Sequence, residues 1–182
     1  MIAGTLPDLK ILIVENDPGM RKFLRTVLSA PAGGIAEYAE AAYGTEALRM
    51  LDVYAPDVVV SNWGSKPVSG IDLLRRIREG ATGNSSFLPF IMLTSRDDTH
   101  GRAEARDAGV SKYLLKPALI QDLLQAIVDV TQNFKPFVRS EGYFGPDRRN
   151  RKNIYSGDER RFRTPEWIPQ SDGIPLIQPA FA

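Results

Sequence analysis

The stretch Ile11-Leu-Ile-Val-Glu-Asn-Asp-Pro18 decides how this chain is read. Its first half, Ile11 to Val14, is a short continuous apolar run bounded by charge, the pattern of a strand buried on both faces of a sheet. Its second half supplies a helix start. Asp17 reads as an N-cap, and Pro18 suits the first helical position, where an N–H has no partner to lose. Met20, Phe23, Leu24, Val27 and Leu28 follow at helical spacing, and Pro31 with Gly33-Gly34 stops the helix. The eight residues therefore open a β-α unit.

The alternation repeats downstream. Ile35 to Ala39 is a candidate second strand, and Thr45 is expected to cap a helix carrying Ala47, Leu48, Leu51 and Val53. Asp57-Val-Val-Val-Ser61 is a β-branched third strand, followed by the loop Trp63 to Gly70 and a helix with Ile71, Leu73, Leu74 and Ile77. Phe90 to Leu93 is a fourth strand, Tyr113 to Leu115 a fifth, and Leu119, Leu123, Leu124, Ile127 and Val128 mark a last helix. Between these last two strands, His100 to Ala108 offers only alanines to a core and contains Gly101. It reads as a short solvent-facing helix, the alternative being a mobile element that orders on a partner. Five strands alternating with five helices through short loops predict an α/β fold, a doubly wound five-stranded parallel sheet covered on both faces.

Composition divides the 182 residues in two. Residues 1–133 carry 14 basic and 16 acidic side chains, net −2, whereas residues 134–182 carry 9 and 6, net +3. The last 49 residues also hold eight of the sixteen aromatics and six of the thirteen prolines, so we read a globular domain, 1–133, and an extended tail, 134–182. No cysteine is present and His100 is the single histidine, which excludes disulfides, thiolate metal sites and His-rich catalysis. The apolar runs fall far short of the roughly 20 residues a membrane span requires, and the N-terminus has no secretory pattern. A soluble, cytoplasmic protein without membrane contact is the expectation.

In an open parallel sheet, ligands bind at the carboxyl ends of the strands, near the point where strand order reverses. The sequence places Glu15, Asn16 and Asp17 after strand one, Asn62 after strand three, Thr94 and Ser95 after strand four, and Lys116-Pro117 after strand five. Neither a dinucleotide-binding Gly-x-Gly-x-x-Gly after strand one nor a P-loop is present. Acids, amides, a hydroxyl and a lysine remain.

This constellation resembles the receiver domain of two-component response regulators. Four stretches carry the resemblance in order: Ile11 to Pro18; Pro56 to Trp63 with Ser69-Gly70; Ile91-Met-Leu-Thr-Ser95; and Gly109-Val-Ser-Lys-Tyr-Leu-Leu-Lys-Pro117. Together they cover about residues 8–132. The resemblance implies a flavodoxin-like fold, a Mg²⁺ site made by an acidic pair and a strand-three aspartate, and transfer of a phosphoryl group to that aspartate from a histidine kinase. It further implies that Thr94 and Lys116 hold phosphoryl oxygens and that Tyr113 is the switch aromatic. Glu15 matches the first acid. The departures are Asn16 in place of the second acid and Asn62 in place of the phosphoacceptor.

An amide nitrogen's lone pair is delocalised and its oxygen bears no full charge, so Asn62 is not expected to accept a phosphoryl group. Mg²⁺ prefers hard anionic oxygens, and two of three carboxylates are gone, so no cofactor is expected and the metal site is expected to be impaired. Asp17, one residue beyond the metal position, reads as a cap, with metal binding the lesser alternative. Asp57 lies at the far end of its strand, and Ser61 faces away from Asn62, so neither substitutes as acceptor. Lys116 is expected to pair with Glu15, the alternative being that the pocket still takes an anion or small ligand.

The tail contains an internal repeat. Tyr143-Phe-Gly-Pro-Asp-Arg148-Arg149-Asn-Arg151 recurs twelve residues on as Tyr155-Ser-Gly-Asp-Glu-Arg160-Arg161-Phe-Arg163. A similar arginine-rich tail occurs in some short response regulators without an output domain. We expect the tail to dock on the receiver or on a second copy, with Tyr143, Arg148, Arg149, Tyr155, Arg160 and Arg161 as its contact residues. A docking arm for another protein is the next reading. Nucleic-acid binding is the least favoured, because an acid precedes each arginine pair.

The expectation is a non-enzymatic, degenerate pseudo-receiver without an output domain, acting in phosphorelay signalling by protein–protein interaction. Its expected partners are a histidine kinase, a phosphotransferase, another receiver, or its own copy in a homodimer. A conventional phospho-accepting receiver is the alternative if the asparagines are substitutions.

Overall fold

The computed structural model describes residues 9–29, 37–64, 66–80, 86–133, 135–148 and 166–168. Five strands, β1 (Lys10–Val14), β2 (Glu37–Ala41), β3 (Val58–Ser61), β4 (Phe90–Thr94) and β5 (Lys112–Leu115), form one parallel sheet in the order β2-β1-β3-β4-β5. Helices α1 (Pro18–Ser29), α2 (Gly44–Tyr54), α3 (Gly70–Arg78), α4 (Thr99–Asp107) and α5 (Ile120–Thr131) connect and follow them. The doubly wound α/β architecture follows from the sequence alternation as expected.

Period-two strand geometry divides the core between the two faces. Ile11, Ile13, Val58, Val60, Ile91 and Leu93 point to one side, where Leu24 and Leu28 of α1 and Leu123, Leu124 and Ile127 of α5 cover them. Leu12, Val14, Val59, Phe90 and Met92 point to the other, under Ala47 and Leu51 of α2 and Leu73, Leu74 and Ile77 of α3. Each of these large side chains contributes about 1.5–3 kcal/mol by leaving water. By contrast α4 buries only Gly101 and Ala105.

Several boundaries differ from expectation. The second strand is described over Glu37–Ala41, an edge strand that pairs only with β1 and has no two-sided apolar signature, while Ile35 and Ala36 of the expected strand lie outside the described residues. Thr45 does not cap α2. The N-cap is Tyr43, without a side-chain bond, and Glu46 Oε2 instead accepts from Ala42 N at 2.7 Å. Three residues assigned to apolar helix stripes, Phe23, Val53 and Leu119, are exposed, and Leu119 is the N-cap of α5 rather than part of it.

The tail begins not as an extended strap but as a hairpin, β6 (Phe137–Ser140) and β7 (Tyr143–Pro146), with β8 (Glu166–Ile168) on the other side of β6. Glu141-Gly142 makes a two-residue turn, with Gly142 alone in the left-handed region at φ +73°, where glycine carries no Cβ penalty. Phe137 is fully buried, and its ring lies 5.2 Å from Phe87 and 5.4 Å from Phe144. Beside it lies Arg78, buried, which donates through Nε to Gly109 O at 3.0 Å and through one terminal nitrogen to Ser86 O and Leu88 O at 2.8 and 2.9 Å. Burial pushes its pKa down to about 9, so it remains charged at neutral pH.

Candidate functional site

Strand order reverses between β1 and β3, which leave the sheet as neighbours with Val14 opposite Ser61. The residues just beyond, Glu15 and Asn62, are therefore adjacent, as the topology of such sheets dictates for a ligand crevice. Backbone bonds continue the ladder and hold both: Glu15 N donates to Ala41 O at 3.0 Å and Asn62 N to Val14 O at 2.8 Å. Gly70, first residue of α3, packs so closely on the Asn62 carbonyl that a Cβ there would overlap its oxygen. Lys116 is held by its own N–H on Thr94 O at 2.8 Å.

The side chains close on one another. Asn62 Nδ2 donates to Glu15 Oε1 at 3.2 Å and to Asn16 Oδ1 at 3.0 Å. Glu15 Oε1 also accepts from Asp17 N at 3.1 Å, and Oε2 accepts from Lys116 Nζ at 2.6 Å. Glu15 is buried and fully bonded. Its backbone oxygen is taken as well, by Arg21, at 2.6 Å. Asp17 stands outside this cluster: Oδ1 accepts from Met20 N at 2.6 Å, which caps α1. Asp57 bonds Lys10 N at the opposite end of β3, and Ser61 Oγ turns back to donate to Asn62 O. Among the described residues no three His, Cys, Asp or Glu side chains converge as metal ligands would.

The crevice has a second tier, in which Thr94 and Tyr113 meet at Arg96. Thr94 Oγ1 accepts from Arg96 N at 3.1 Å, and Tyr113 Oη donates to Arg96 O at 2.5 Å. The Arg96 guanidinium lies 4.7 Å from the centre of the Trp63 ring, next to Asn62, and pairs with Asp98 at 2.6 Å. The guanidinium hydrogen bond, joined by the Gly101 N–H, holds the Asp98 carboxyl below the usual carboxylate range. Asp98 caps α4 through that same Gly101 N–H, at 2.7 Å. Burial raises the Tyr113 phenol. Thr94 and Tyr113 were singled out in the sequence, whereas Arg96 and Asp98, which join them to Trp63, carried no sequence signal.

Residues 11–128 match the model of the response regulator receiver domain. The chain belongs to that family. The chemotaxis protein CheY of Pseudomonas aeruginosa is 37% identical over 119 residues, 65% of this chain and 93% of that protein. Response regulator MprA of Mycobacterium tuberculosis is 32% identical over 130 residues, 71% of this chain, which spans about half of that relative, 53%. Among solved structures, the receiver domain of a sensor histidine kinase from P. aeruginosa, with a magnesium ion coordinated in its active site cleft, superposes with a TM-score of 0.60 at 26% identity. That match covers 69% of this chain and 95% of that one.

As a response regulator receiver, the protein works in two-component signalling, and Glu15, Asn16, Asn62 and Lys116 meet at the carboxyl end of its sheet. Of the tail residues singled out in the sequence, Tyr143 is in the hairpin at the opposite end of the sheet and Arg148 follows it. Arg148 lies 3.5 Å from the centre of the Tyr143 ring and pairs with Asp107 at 2.8 Å. Arg149, Tyr155, Arg160 and Arg161 lie outside the described residues. No helix among the described residues is long and apolar enough to cross a membrane.

Proposed function

We propose that this receiver works without phosphoryl transfer, as a pseudo-receiver whose crevice is closed by hydrogen bonds and whose output is protein–protein contact. The observation that carries this reading is the Asn62 amide. Its N–H groups point at Glu15 Oε1 and Asn16 Oδ1, so donors stand where a cation would need to share those same oxygens. The remaining Glu15 oxygen is committed to Lys116, and the charges of this pair cancel. The residues present therefore do not fit Mg²⁺, which requires hard, preferably anionic oxygens in an octahedral shell. Asn62 also lacks the carboxylate that attacks phosphorus.

In this reading the protein is not an enzyme and needs no cofactor. It engages a histidine kinase, a phosphotransferase or another receiver, and one conformation serves where other receivers use two. Trp63 emission, read in a Trp167→Phe background, tests this. Millimolar Mg²⁺ with beryllofluoride, a phosphoryl mimic, is expected to leave the emission unchanged; a saturable change dependent on both would refute the reading.

A further inference from the structure

The C-terminal hairpin docks at the end of α4 furthest from the crevice. The Gly145 Cα approaches Gly109 so closely that a Cβ on Gly145 would come within 2.8 Å of the Gly109 Cα, and one on Gly109 would meet Phe144 O at 2.6 Å. Gly109 follows α4 at φ +86°, and its carbonyl is held by buried Arg78. Asp107, the last residue of α4, pairs with Arg148, while Phe87, Phe137 and Phe144 form a three-ring contact with centroids 5.2–5.4 Å apart. The opposite end of α4 is tied to the crevice. Asp98 and Glu104 both pair with Arg96, the Arg96 stem packs on Gly101, and Arg96 stacks on Trp63.

With only Gly101 and Ala105 buried, α4 has little apolar surface to fix it on the sheet. We infer that the surface made by Arg78, Phe87, Asp107 and Gly109 is a docking site for the chain's own hairpin, and that its occupancy sets the order of α4 and, through Arg96, of the crevice rim at Trp63. The tail is then an intramolecular ligand, and α4 is the element its occupancy governs. This holds whatever the chemistry of Asn62, because no step of it passes through the acceptor position.

Amide hydrogen exchange on the full chain tests the inference with two variants. Gly145→Val drives a side chain into Gly109, and Arg148→Ala removes only exposed contacts, so the second keeps the test valid should the first fail to fold. Residues 96–107 are expected to exchange tenfold or more faster in Gly145→Val, and severalfold faster in Arg148→Ala, with α1 and β1 unchanged. Unchanged protection of residues 96–107 while 138–146 lose theirs would overturn the coupling. So would an equal rise in α1 and α4, which would make the hairpin a general stabiliser.

Discussion

Lys116 Nζ lies 2.6 Å from Glu15 Oε2, across a sequence separation of 101 residues, with the two side chains only 13% and 2% exposed. Strand β5 thereby delivers its cation to the carboxylate that β1 has buried. Removing one partner of such a pair leaves the other charge without compensation, at a cost of about 3–5 kcal/mol. Lys116→Met is expected to lose about 3 kcal/mol in urea denaturation, and adding Glu15→Gln should recover part of it, because the amide can stay buried uncharged.

The asparagine at 62 relieves repulsion as well as removing a nucleophile. Asn62→Asp would place a second carboxylate about where Nδ2 now sits, 3.2 Å from Glu15 Oε1. Like charges at this distance disfavour one another. The variant's melting temperature in the absence of divalent ions should fall, and Mg²⁺ should restore it. Asn16→Asp added to Asn62→Asp should enlarge that response, while the wild-type protein shows no Mg²⁺-dependent shift in the same scan.

At the other end of the sheet, burial, with help from Glu37 and Asp57, pushes the Tyr54 phenol up to about 12. The unfolded phenol ionises near pH 10. Between about pH 10 and 12 the unfolded chain therefore holds fewer protons than the folded one, and stability present below pH 10 is lost as pH rises. Tyr54→Phe should flatten this alkaline decline. At neutral pH it should cost little, since the buried hydroxyl has no hydrogen-bond partner among the described residues.

Arg78 bridges α3, the segment before β4 and the turn after α4 through three carbonyl oxygens, and its guanidinium lies 5.0 Å from the Phe137 ring centre. Truncation to alanine strands those acceptors and opens a cavity. A loss of about 4 kcal/mol is expected in chemical denaturation, by the magnitudes of unpaired buried acceptors and lost packing. Arg78→Lys should recover little, because one ammonium cannot reproduce the planar fork.

The parts of this architecture that could be read from residue order are those where one physical term dominates. Ile11-Leu-Ile-Val14, Val58-Val-Val60 and Phe90-Ile-Met-Leu93 are buried on both sides, so hydrophobicity alone marks β1, β3 and β4. Where two terms compete, the reading slips. Glu37 to Ala41 is a polar edge strand, and Phe137-Val-Arg-Ser and Tyr143-Phe-Gly-Pro are strands of four residues, one ending in glycine and proline, that form through long-range packing on Phe87 and Gly109. The crevice residues Glu15, Asn16, Asn62, Thr94 and Lys116 were identifiable from their places after strand ends. The Lys116–Glu15 pair was legible too, but the closure of Asn62 onto Glu15 and Asn16 depends on amide directions that a sequence does not encode locally. The bridging role of Arg78 has no sequence signal, because its partners are 8, 10 and 31 residues away.

Whether Asn62 closes the crevice without accepting a phosphoryl group can be read by intact-protein and peptide mass spectrometry. The full chain is incubated with acetyl phosphate and Mg²⁺, beside the Asn16→Asp/Asn62→Asp variant as a positive control. No phosphoryl adduct is expected on the wild-type protein, and a base-labile acyl phosphate is expected at position 62 of the variant. A stoichiometric phosphoryl adduct on the wild-type chain within the crevice would contradict this.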